Sequence, residues 1–203
     1  MKRFLIHLMT ATLAAVLLLT AASCTPDEGG LETIPQEETT AASVTNTPAA
    51  PADTPADTVP EQDPDQTPDF TVQDGEGNSV KLSDFFGKPI VLNFWASWCP
   101  PCKAELPDFE DAYKKYDGEV VFLMVNMTDN QIETVEVAKD FVKTHGYTFP
   151  VYYDVDYQAA TVYGVRSIPQ TYFINTEGEA VARATGMITA AQLEEGIGMI
   201  YSE

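Results

Sequence analysis

Across 203 residues the chain carries 31 acidic and 11 basic side chains, a net charge of −20, with 44% hydrophobic residues. That length suits one domain plus additional chain rather than two full domains. A surface so acidic, with no basic cluster, repels nucleic-acid phosphates and excludes that class of partner; its plain reading is solubility.

The chain divides into three segments. Lys2 and Arg3 precede an almost wholly apolar or small run, Phe4 to Ala22, so residues 1–23 read as a secretory signal peptide. Cys24 follows at once, and Ala21-Ala22-Ser23-Cys24 resembles a bacterial lipobox, with Ala where Leu is usual. That resemblance implies lipidation of Cys24; the same small residues also suit ordinary cleavage, and an uncleaved anchor is a third reading, its apolar run short for spanning. Residues 24–68 read as a tether: residues 25–68 hold eight prolines, ten acids and no Lys or Arg. Such a composition cannot bury enough apolar surface to offset the entropy of ordering, so an extended, mobile linker is expected.

No aromatic residue lies between Phe4 and Phe70, so the core is expected in a domain over residues 69–203. Phe70–Val72 and Val80–Leu82 flank Asp74-Gly75-Glu76-Gly77-Asn78, an N-terminal hairpin extension, with Ser83 as the expected cap of a short helical turn. Pro89–Ala96 reads as a buried central parallel strand, and Leu106, Phe109, Tyr113 and Tyr116 recur at helical spacing after it. Val120–Val125 is the next strand, Ile132–Val142 a helix stopped near Gly146, Phe149–Tyr153 a strand and Gln158–Tyr163 a short helix. Gln170–Ile174 and Ala180–Thr185 surround Asn175-Thr176-Glu177-Gly178 as a second hairpin, and Thr189 caps a last helix with Leu193, Ile197 and Ile200 inward. The order β–β–β–α–β–α–β–α–β–β–α predicts an α/β fold, a mixed sheet flanked by helices.

Chemistry concentrates at Trp98-Cys99-Pro100-Pro101-Cys102. A strand ends near Ala96 and a helix begins near Pro100, where proline's missing N–H breaks no bond. Cys99 therefore stands at a helix start, where free N–H groups and the helix dipole favour a thiolate, the nucleophilic form. Cys102, one turn in, is expected to be more buried and to resolve the mixed disulfide that Cys99 forms. Two other readings stay open. A zinc site needs four ligands, and the remaining candidates are Cys24, His7 and His145; a merely structural disulfide closing so short a loop constrains the unfolded chain little.

The run Leu92–Cys102 resembles the thioredoxin superfamily, specifically its membrane-tethered, extracytoplasmic TlpA- and ResA-like branch, and the resemblance extends over roughly residues 68–203. Val165-Arg166-Ser167-Ile168-Pro169-Gln170-Thr171 is similar to the family's cis-proline segment, which implies a cis Pro169 opposite the cysteines and an Ile168 backbone that offers hydrogen bonds to a substrate strand. From residues alone, Pro169 also fits an ordinary trans turn. Where cytoplasmic thioredoxins usually place a buried acid, this chain has Asn93. Glu105 resembles the glutamate of the ResA-like branch, which implies a part in thiol proton chemistry; it also fits a solvated first-turn glutamate. Trp98 is expected to shield the sulfurs, Trp95 to lie in the core and Lys103 on the surface.

The resemblance implies an exported, lipid-anchored thiol–disulfide oxidoreductase with no dissociable cofactor or metal beyond its redox-active disulfide. Its implied partners are disulfide-containing exported proteins, apocytochrome c among them, and a membrane electron donor; a monomer is expected. Three alternatives remain: a peroxiredoxin-like peroxidase, a copper-handling module and a binding module with a structural disulfide.

Overall fold

A computed structural model describes residues 30–34 and 66–202. The signal segment 1–23, Cys24 and most of the tether lie outside the described residues. Among the described residues no helix is long and apolar enough to cross a membrane.

In chain order the elements are β1 (Leu31–Thr33), β2 (Thr71–Gln73), β3 (Ser79–Lys81), a 3-10 turn (Leu82–Phe85), β4 (Ile90–Trp95), α1 (Pro100–Tyr116), β5 (Val121–Asn126), α2 (Val135–His145), β6 (Val151–Tyr153), α3 (Gln158–Val162), β7 (Gln170–Ile174), β8 (Ala180–Thr185) and α4 (Ala190–Ile200). They form one mixed eight-stranded sheet in the order β1-β8-β7-β4-β5-β6-β2-β3. β4 pairs parallel with β5 and antiparallel with β7, so the central strand is buried along its whole length.

Alternation along β4 builds two cores. Val91 and Trp95 face one side, packed with Leu106 and Phe109 of α1 and Ile197 of α4. Ile90, Leu92 and Phe94 face the other, with Phe70, Leu82 and Tyr172. Each such fully buried large apolar side chain contributes about 1.5–3 kcal/mol over its exposed state. α4 lies so close to β7 that a Cβ on Gly196 would stand 2.2 Å from the Phe173 ring.

Four local features differ from expectation. Ser83 does not cap the turn: the Asp84 carboxylate accepts the Lys81 N–H at 2.8 Å, while Ser83 donates its N–H and hydroxyl to Asp69. α2 begins three residues later than periodicity suggests, because Thr134 caps it by accepting the Val137 N–H. Ordered structure starts before residue 69, since Gln66 Nε2 donates to Glu177 O and Thr67 N to Gly178 O, both at 2.9 Å. Finally β1, inside the stretch read as tether, adds a strand to the β8 edge, where a half-buried Leu31 packs on the first core.

Candidate active site

β4 delivers the chain to the end of the sheet, and the connection to α1 is three residues, Ala96 to Trp98, before Cys99. Cys99 N donates to Ala96 O at 3.2 Å, which tightens the turn. Pro100 and Pro101 then occupy the first two helical positions. Cys99 is the N-cap: its backbone is extended (φ −84°, ψ 110°) and its Sγ accepts the Cys102 N–H at 3.2 Å. The helix thus offers an N–H to sulfur at the place where its dipole favours negative charge. Cys99 and Cys102 are joined as a disulfide, Cα atoms 5.3 Å apart.

The β7 lead-in faces them. The Ile168–Pro169 peptide is cis, and the Ile168 carbonyl oxygen lies 3.7 Å from Cys99 Sγ. Between the two loops runs an open cavity of about 440 Å³ whose lining includes Cys99 but not Cys102. Trp98, Pro100 and Pro101 form one wall, and Val165 and Ile168 the other. Met127 and Tyr157 close its far side; neither stood out in the sequence, because strand ends and helix caps carry no chemical signature. Trp98 is 53% exposed, so it makes a wall of the groove rather than a cover over the sulfurs. The cysteines are covered by the surrounding loops, with Cys99 2% and Cys102 0% exposed. Trp95 lies in the core and Lys103 on the surface, as expected.

Behind the pair, Glu105 is 1% exposed and so is not a solvated first-turn glutamate. It follows Cys102 by three residues and shares its helix face. Its Oε1 accepts from Asn93 Nδ2 and its Oε2 from Ile188 N, each at 3.0 Å. Asn93 Nδ2 also donates to Thr171 Oγ1, tying β4, β7 and α1 together. Burial pushes the Glu105 pKa up to about 8, outweighing the two hydrogen bonds that lower it, with Asp108 adding a smaller upward push.

A second buried carboxylate escaped the sequence reading. Glu133, 0% exposed, accepts from Ser97 N at 2.7 Å, Ser97 Oγ at 2.5 Å and Asn126 Nδ2 at 2.6 Å. It thereby clamps the turn two residues before Cys99 onto the end of β5. A helix from Ile132 would include Glu133; because α2 starts at Val135, Glu133 sits in the preceding loop and turns inward. The clue in the sequence was Thr134, a better cap than Gln131, which a helix starting at Ile132 would have to use.

Residues 64–183 match the AhpC/TSA family, well over half of the chain. The chain belongs to that family. Over 132 residues it is 36% identical to thiol-disulfide oxidoreductase ResA of Bacillus subtilis, covering 64% of this chain and 72% of that one. It is also 33% identical over 126 residues to sporulation thiol-disulfide oxidoreductase A of Bacillus subtilis, covering 62% and 76% of the two chains. The crystal structure of StoA from Bacillus subtilis superposes with a TM-score of 0.56 at 33% identity, over 66% of this chain and 98% of that one. The pneumococcal exposed lipoprotein thioredoxin from Streptococcus pneumoniae gives 0.57 at 33% identity, over 65% and 99%. With the thioredoxin-like fold and a cysteine pair at bonding distance, these relatives make the chain an extracytoplasmic thiol–disulfide oxidoreductase of the ResA-like type.

Proposed function

We propose that the protein reduces disulfides of exported proteins, apocytochrome c among the candidates, from a lipid anchor at Cys24. The observation that carries the reading is Cys99: an N-cap sulfur that opens into a groove, with the Ile168 backbone facing it. A substrate strand laid in that groove pairs with the Ile168 backbone, and Trp98, Pro100 and Pro101 hold its apolar side chains.

In the forward direction the Cys99 thiolate attacks a substrate sulfur. The substrate S–S bond breaks, and a mixed disulfide forms as one substrate thiolate leaves. Cys102 then loses its proton and attacks Cys99 Sγ, which expels the second substrate thiolate and closes the Cys99–Cys102 disulfide. Two electrons pass to the substrate, whose thiolates take up two protons, and a membrane electron donor restores the dithiol. Glu105, one turn beyond Cys102, is the group that takes the Cys102 proton and returns it on re-reduction. A pKa raised to about 8 suits that exchange, because a proton acceptor and donor is most effective when its pKa lies near neutral pH. No dissociable cofactor or metal takes part, and one protomer carries the whole site.

The equilibrium potential of the pair tests the direction. Thiol alkylation of the reduced and oxidised forms across dithiothreitol or glutathione buffers is expected to give one two-electron transition near about −270 mV. A value near about −120 mV means an oxidase, and a pair that stays oxidised well below about −300 mV means a structural disulfide. Peroxide consumption by the reduced protein at a rate matching its protein-disulfide reduction would favour the peroxidase instead.

A further inference from the structure

The strand β1 bears on how such a domain is held. Leu31, Glu32 and Thr33 pair antiparallel with Ala184, Arg183 and Ala182 of β8, and Ile34 N donates to Val181 O at 2.9 Å. Arg183 Nε and Nη2 both donate to Glu32 Oε2, at 3.2 and 3.1 Å. Leu31 packs its side chain against the core beneath α1 and α4. The strand's direction follows from the pairing: β8 runs parallel to β4, toward the cysteine end, so β1 starts at that end and runs away from it. Leu31 lies opposite Ala184, next to Thr185, which pairs with Gln170 beside the cis proline; Gly186 N donates to Pro169 O at 2.9 Å. The chain therefore enters the fold at the redox end of the sheet edge.

Sequence spacing gives that entry point its meaning. Only residues 25–30 separate Cys24 from Leu31, whereas residues 25–66 separate Cys24 from Thr67, where the body of the domain begins. Full extension allows at most about 25 Å in the first case and about 150 Å in the second. The acidic domain surface offers an anionic bilayer no adhesion of its own, with 20 acids against nine Lys and Arg over residues 70–203.

We infer that β1 is a strap that shortens the tether and turns the Cys99 end of the sheet toward the membrane. This rests on the lipid anchor at Cys24. Docked, the strap holds the redox groove within reach of a donor embedded in the bilayer; released, it gives the domain the length of the whole tether. A three-residue ladder, one half-buried leucine and an exposed ion pair stand at the weak end of tertiary contacts, so the strap can open while the domain stays folded.

The chain's two tryptophans, Trp95 and Trp98, both lie at the redox end and serve as built-in donors. Full-length protein, processed in a lipoprotein-maturing bacterial host and reduced, is placed in vesicles that carry a dansyl headgroup acceptor. Energy transfer from tryptophan to dansyl is expected to be strong. It should fall by about half or more in Leu31→Asp/Ile34→Pro, which puts a carboxylate against the apolar core and removes the N–H that bonds Val181, releasing the longer reach. Inserting about twelve Gly/Ser residues after Glu28 should lower transfer as well, since that lengthens a six-residue leash threefold but a 42-residue one little. Amide exchange of β4 and β7 verifies that each variant is folded. Protein that sediments with vesicles yet transfers equally in all three forms overturns the strap alone. Protein that does not sediment, or sediments equally as Cys24→Ser, overturns the anchor and the strap's orienting role with it.

Discussion

Asn93 Nδ2 donates to Glu105 Oε1 at 3.0 Å, and this contact joins the central strand to the helix that carries both cysteines. It also leaves a carboxyl group in the core one turn beyond Cys102, where water does not reach it. Burial sets its protonation, with pKa about 8 against an ordinary 4.5.

The sign of the resulting pH dependence is opposite to that of a salt-bridged acid. Between pH about 4.5 and about 8 the folded chain keeps a proton that the unfolded chain releases, so unfolding sheds a proton and rising pH favours it. Below that window both states are protonated, and above it both are ionised, so the loss is complete. Urea unfolding of the oxidised protein is expected to show stability that falls from pH 5 to pH 8 with a slope approaching ~1.4 kcal/mol per pH unit. Glu105→Gln should flatten that profile. A wild-type profile that rises over the same range would show Glu105 ionised in the fold.

Glu133 makes a second prediction. Glu133→Ala leaves Ser97 N and Asn126 Nδ2 without their buried acceptor, at about 1–3 kcal/mol each, and loosens the turn before Cys99. Glu133→Gln keeps one carbonyl oxygen for those two donors, and its amide can donate to Ser97 Oγ. Stability and the rate of Cys99 alkylation should therefore change strongly in the first variant and weakly in the second. Equal behaviour of the two would mean that the clamp is not what orders the turn.

The two sulfurs should separate by role. Cys102→Ser is expected to accumulate a mixed disulfide with a disulfide-containing substrate, because Cys99 faces the groove and nothing remains to resolve it. Cys99→Ser should trap none, since Cys102 is 0% exposed and does not reach the groove. Non-reducing gels after incubation with substrate distinguish the two.

Gly196 offers a packing test far from the redox chemistry. A methyl group there meets the Phe173 ring at 2.2–2.5 Å, and that ring is fixed in β7, so Gly196→Ala should cost about 1–3 kcal/mol or more by overpacking. Phe173→Leu combined with Gly196→Ala should recover part of the loss. Urea midpoints at constant slope measure both.

Much of the fold was legible before any coordinates. Gln170–Ile174, Ala180–Thr185 and the Thr189 cap emerge from periodicity alone, because a fully apolar run, a Gly-containing turn and a Thr before an apolar helix are local signals. The Cys99–Cys102 pair was likewise readable, since strand, prolines and helix are contiguous in the chain. Start positions were weaker, as at α2, where a residue such as Glu133 reads as surface until the cap is located.

What sequence alone determined was the chemistry: two cysteines at the start of a helix, a proline segment some 70 residues on, and an acidic leader too poor in apolar residues to build a core. Only the tertiary structure decided what those residues face. That Glu105 is buried rather than solvated depends on Asn93, Thr171 and the Ile188 N–H converging from β4, β7 and the segment before α4. That Leu31 joins the sheet depends on a free edge at β8, which lies more than 150 residues away along the chain. Burial and edge pairing are sums over distant neighbours; a local window records a residue's preferences but not the company that satisfies them.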